Sequence, residues 1–158
     1  MLPKALKIGG TVIMSEIEVV ISDSLLSVTS MFGHVAITVD WVAYTRAHSG
    51  YFTYHHADYM LRQRKIRSSI GYFLYVTYEE KQKIKKELER RMRENKPYSF
   101  MNNDCVTNVI EVLKVAGIEA SDVRGFGATS PVALARRLTF SGRFIRKMSY
   151  PKHLDSPE

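Results

Sequence analysis

The sequence has one cysteine in 158 residues. An internal disulfide is therefore excluded, and the core must hold together by packing alone. Any thiol chemistry has a single address, Cys105. No apolar run approaches the ~18–20 residues that a membrane helix needs, so no stable membrane insertion is expected. No internal repeat, low-complexity segment or linker divides the chain, so one domain over 1–158 is expected. Hydrophobic residues make up 45% and charged residues 25%, which excludes wholesale disorder. The features of a signal peptide are also missing. Lys4 and Lys7 come early, but Gly9-Gly10, Glu16 and Glu18 interrupt the apolar stretch, and no small-residue cleavage site closes it.

What the chain does have is positive charge. Lys and Arg number 23 against 16 Asp and Glu, a net charge of +7. Such a surface is drawn to polyanions, namely nucleic acid, anionic lipid or an acidic wall polymer, and the sign alone does not choose among them. Much of the excess lies in 81–96, with eight Lys/Arg and three Glu. There Glu87 and Arg91 are spaced i,i+4, as Glu79 and Lys83 are just before, which fits an exposed helix.

Strands are expected at Glu16–Ser22, Gly33–Val39 and Ile70–Val76, with Val42–His48 returning as a hairpin after Asp40-Trp41. A short helix-like segment is read over Asp23–Ser30 and another over His55–Gln63. Thr77 and Glu80 form a capping box. The helix they open runs to about Glu94 with a narrow stripe of Ile84, Leu88 and Met92. A second helix starts near Asn103-Asp104 and stops at Gly117. It is apolar almost all round, which places it inside the fold. Ser130-Pro131 opens a third helix, Val132–Leu138. Helices interleaved with a hairpin predict an α+β fold.

Cys105 falls in the first turn of the buried helix, where unpaired N–H groups and the positive end of the helix dipole favour a thiolate. A lowered pKa is expected there. The competing reading is a small buried hydrophobe. A nucleophilic thiol needs a base. His34, embedded in the apolar strand, is the candidate, against the plainer reading of a core or edge histidine. A third group should orient the imidazole, and hairpin parity decides which. A two-residue turn at Asp40-Trp41 brings Thr45 to the side of His34. A three-residue turn sets His48 opposite it. His48 is preferred because imidazole is the better partner.

Asp104-Cys105-Val106-Thr107-Asn108-Val109 resembles the Asp-Cys-Ser-Gly-Leu-Val signature of the NlpC family of cell-wall cysteine peptidases. Pro97-Tyr98 is similar to that family's Pro-Tyr upstream of the cysteine. His34 precedes Cys105 by 105 − 34 = 71 residues, the circularly permuted order shared with the lecithin:retinol acyltransferase group. Ser24-Leu-Leu-Ser27 before Gly33-His34-Val-Ala-Ile37 resembles the opening of permuted bacterial members. Val106-Thr107 departs from the Ser-Gly of the signature. The resemblance covers roughly 16–117 and implies a permuted papain-like fold: a small antiparallel sheet packed against a buried helix with the cysteine at its N-terminus. It implies Cys105 as nucleophile, His34 as base, and Tyr98 in the oxyanion site. It implies a hydrolase without cofactor or metal, cleaving amide bonds in peptidoglycan stem peptides. Basic compact domains of this kind look like antibacterial effectors of type VI secretion, including the TseH type. That analogy implies synthesis in a bacterial cytoplasm, export without a signal peptide, action in a target-cell periplasm and an immunity protein as partner.

Other readings stand beside this one. A Cys–His pair also serves lipid acyl transfer or deacylation, and the 81–96 helix could then lie on anionic membrane. Arg62–Arg67 and Arg143–Lys147 are basic stretches near aromatic residues, but no recognised nucleic-acid motif accompanies them, and no nucleic-acid partner is expected. His48, His55, His56 and Asp58 cluster in sequence without metal-ligand spacing. A binding domain with an inert, buried Cys105 is the remaining option.

Overall fold

The computed structural model describes residues 6–8, 11–25, 33–99, 104–121 and 130–154. Their strands are β1 (Leu6–Ile8), β2 (Thr11–Ser22), β3 (His34–Val39), β4 (Val42–Ala47), β5 (Gly50–His55), β6 (Ser69–Thr77) and β7 (Phe144–Tyr150). Four helices accompany them: α1 (His56–Arg64), α2 (Tyr78–Glu94), α3 (Cys105–Lys114) and α4 (Pro131–Thr139). Six strands form an antiparallel sheet in the order β5-β4-β3-β2-β6-β7, and β1 pairs separately with β2. The expected α+β class is therefore observed.

The main core lies on one face of the sheet. Ile17 and Val19 of β2, Val35, Ile37 and Val39 of β3, and Leu74 and Val76 of β6 meet α2, α3 and α4 there. Alternation along a strand sends the next residues to the other face. On that side Val20, Ala36 and Ala43 pack under Tyr59 and Met60 of α1. The sheet thus separates α1 from the helix that carries the cysteine.

Local signals place the helices. Thr77 caps α2 and exchanges hydrogen bonds with Glu80. Ser130 caps α4, with Pro131 in its first turn. Ile84 and Leu88 of the α2 stripe are buried in the main core, so that stripe faces inward and does not present an apolar side to a membrane. Cations on α2 have internal work as well. Arg90 and Arg91 pair with Glu87, and Lys81 and Lys85 hold Asp40 at 2.9 and 3.0 Å.

Four stretches of strand depart from the sequence expectation. β2 begins five residues before Glu16, and β1, β5 and β7 were not expected. β7 is an edge strand exposed along most of its length, so no buried face imprints alternation on it. The Asp23–Ser30 reading falls mostly outside the described residues, and Asp23–Leu25 has no regular structure.

The hairpin between β3 and β4 fixes the site's register. Asp40 and Trp41 both take left-handed φ, 49° and 66°, as a two-residue turn requires. Val39 then pairs with Val42, and Ala36 with Thr45. At the strand's other end Gly33 has φ +93°, and a β-carbon there would sit 2.7 Å from the carbonyl oxygen of Ser22. Only glycine turns the chain into His34 at that point.

Candidate active site

Cys105 is the first residue of α3, directly after its cap. Asp104 accepts a hydrogen bond from the Thr107 amide at 2.7 Å, and Thr107 Oγ1 accepts one from the Asp104 amide at 2.9 Å. This closed capping box gives Thr107 a physical reason to stand where the family signature has glycine. The Cys105 residue is 9% exposed. Its sulfur lies near the backbone amides of Val35, Cys105 and Val106, whose N–H groups favour a thiolate.

The amide of Val35 belongs to the residue after His34, so the thiol docks at the start of β3. The β3–β4 ladder runs only from Ala36–Thr45 to Val39–Val42. Residues 34 and 35 lie beyond it, and the sulfur sits at that end. His34 shares the α1 face with Ala36 and Thr38, whereas Val35 shares the α3 face with Ile37. Thiol and imidazole therefore come from opposite faces to the same strand end. They share no hydrogen bond among the described residues; Val35 is the link between them.

His34 Nε2 lies 2.5 Å from Thr45 Oγ1. This corrects the preference for His48. The two-residue turn selects the other parity, and the His48 ring stacks instead on Tyr98, with centroids 4.6 Å apart. Tyr98 is half-buried and within electrostatic reach of Cys105 and Asp104. It is positioned by Arg46, a buried residue of β4 that the sequence reading passed over. The Arg46 guanidinium donates to the carbonyls of Ala47 and Lys96 at 3.0 and 2.8 Å and lies over the rings of Tyr51 and Tyr98. The only sequence signal was an arginine at an inward parity of the strand.

Two titrations differ from simple expectation. Burial pushes the Cys105 thiol up to about 11, and the Asp104 charge adds to this; together they outweigh the three amides that favour a thiolate. The expected lowered pKa is thus corrected: desolvation of a buried anion exceeds the help of the helix terminus. Burial of the His34 ring, with the Arg67 charge second, brings that imidazole down to about 4. The resting pair is a neutral thiol and a neutral imidazole.

Under α1, beside Thr45, lies a group of hydroxyls that the sequence reading also missed. Ser22 Oγ and Ser69 Oγ are 2.7 Å apart. Tyr59 is fully buried, and its hydroxyl lies near those of Ser22 and Thr45 but has no hydrogen-bond partner among the described residues. Arg67, also buried, bonds Gln63 Oε1 at 2.7 Å and the Asp23 carbonyl at 3.2 Å.

The remaining histidines have separate duties. His55 caps α1 through the Ala57 amide, and His56 faces Thr38 and Glu18. They do not converge with His48 and Asp58, and no group of three or more metal-ligating side chains occurs among the described residues. In the basic stretches, Arg64 bonds the Pro151 carbonyl, Arg143 pairs with Glu80, and Arg146 pairs with Glu16. No described helix is long and apolar enough to cross a membrane. Compared with protein-family models, curated proteins and solved structures, the chain matches none.

Proposed function

We propose that this protein is a cysteine hydrolase that cleaves amide bonds in bacterial peptidoglycan peptides. The observation that carries the reading is the place of the Cys105 thiol near the amide of Val35, the residue that follows His34, whose imidazole contacts Thr45. The sulfur on one face, and the candidate base with its orienting hydroxyl on the other, lie at the same end of β3.

In this reading the neutral imidazole acts as a general base. Nε2 is occupied by Thr45, which leaves Nδ1 to take the thiol proton as sulfur attacks the carbonyl carbon. Transfer accompanies attack, because a free thiolate is disfavoured at rest. The developing oxyanion is stabilised by amides at the start of α3, with Tyr98 at its margin. His34 then returns the proton to the departing amine, and water hydrolyses the thioester. The positive surface assists encounter with an anionic wall polymer. The resemblance to permuted NlpC-type peptidases adds the role of an exported antibacterial effector with an immunity partner.

Purified cell-wall sacculi test the proposal. Wild-type protein should release new amine termini, and mass spectrometry of the muropeptides identifies the bond. Cys105→Ala and His34→Ala should abolish release while remaining folded. Intact sacculi after exposure to wild-type protein, or normal release by either variant, would overturn it.

A further inference from the structure

The outer side of α2 carries a charge pattern that the fold does not use. Lys83, Lys86, Arg90 and Arg93 are exposed and stand three, four and three residues apart, so they run along one side of the helix. Like charges at these spacings weaken a helix. Other cations of α2 are spent within the structure, Lys81 and Lys85 on Asp40 and Arg91 on Glu87. Arg90 pairs with Glu87 and Glu94. Glu87 is one turn from Lys83 but is committed to Arg90 and Arg91. Lys83, Lys86 and Arg93 have no ion-pair partner among the described residues, and Glu89 is the one acid beside them outside those pairs.

The four cations line a groove of about 530 Å³, which Val115 at the end of α3 also lines. Their row is about 15 Å long at ~1.5 Å per residue. Cys105 stands at the opposite end of α3, roughly 15 Å away along that helix. We propose that this groove is an exosite for peptidoglycan, holding carboxylates of the polymer at a distance from the bond that is cut. This rests on the reading of the chain as a peptidoglycan hydrolase. A row of cations suits a linear polymer with repeated carboxylates, because each contact is weak in water and several together retain the chain. Nucleic acid fits less well, since no aromatic side chain is among the described residues of the groove and bases have nothing there to stack on. A bilayer fits less well too, since the apolar stripe of α2 is buried in the core.

The experiment is co-sedimentation of the Cys105→Ala protein with purified sacculi over a range of salt concentrations, so that binding is read without turnover. Three groove reversals made together, Lys83→Glu, Lys86→Glu and Arg93→Glu, are compared with Lys65→Glu, Arg136→Glu and Lys152→Glu made together at exposed cations elsewhere. Both sets change the net charge by the same amount. The groove set should weaken binding at least about tenfold, the control set much less, and both should melt as cooperatively as the parent. Binding should weaken with salt and be lost on sacculi whose carboxylates are converted to carboxamides, an arm that needs no change to the protein's surface. Equal weakening by the two sets, unchanged binding by the groove set, or full binding to the amidated sacculi overturns the proposal. So does tighter groove-dependent binding to duplex DNA or to phosphatidylglycerol vesicles. Groove-dependent binding in a protein whose wild type leaves sacculi intact would uphold the exosite and refute only the hydrolase reading. Release of amine termini undiminished by the groove reversals would do the reverse.

Discussion

Thr45 Oγ1 lies 2.5 Å from Nε2 of His34, on the strand that follows the imidazole's own strand in the hairpin. A hydroxyl has no charge with which to stabilise an imidazolium. It orients the ring and leaves the pair neutral at rest. Thr45→Val keeps the shape and deletes the contact. Turnover should fall about ten- to a hundredfold, whereas His48→Ala, which removes a ring stacked on Tyr98, should fall much less. Rates of amine release from sacculi by the two variants compare them directly; the opposite ranking would restore His48 as the orienting group.

Cys105 offers a second check through its reactivity. With burial holding the thiol near 11, alkylation by iodoacetamide should be slow at neutral pH and still climbing at about pH 10. A rate that levels off near neutrality would show a preformed thiolate–imidazolium pair instead.

Stability should depend on pH through His34. Its folded pKa of about 4 lies below the ordinary value of 6.5, so the unfolded chain binds the proton more readily. The stabilising contribution is complete above pH 6.5 and is lost as pH falls toward 4. The loss is on the order of 1–3 kcal/mol. His56, lowered by burial, acts in the same direction. Denaturant titrations across this window should show a shallower slope for His34→Gln than for wild type.

Gly71 tests the packing of the α1 face. A β-carbon there would overlap the Glu18 carboxylate, which accepts the Tyr150 hydroxyl at 2.6 Å and faces His56 at 3.4 Å. Gly71→Ala should cost about 1–3 kcal/mol by chemical denaturation. Adding Glu18→Ala should recover part of that loss, because it removes the atom the new methyl meets.

The helices and their starts were legible in the sequence because their signals are local. Thr77 with Glu80, Ser130 before Pro131, and the β-branched run after Gly33 each act within one turn or one strand. The place of Cys105 at the start of α3 was legible for the same reason. The rest depended on contacts between residues far apart along the chain. Whether Thr45 or His48 met His34 turned on one residue of a hairpin loop, and the left-handed pair Asp40 and Trp41, with Lys81 and Lys85 on Asp40, decided it. The strands β5 and β7 lacked a buried face to imprint a pattern. The sign of the thiol's shift was likewise out of reach. The helix terminus that favours a thiolate is a property of α3 alone, but the burial that opposes it arises only when β3 closes over the sulfur.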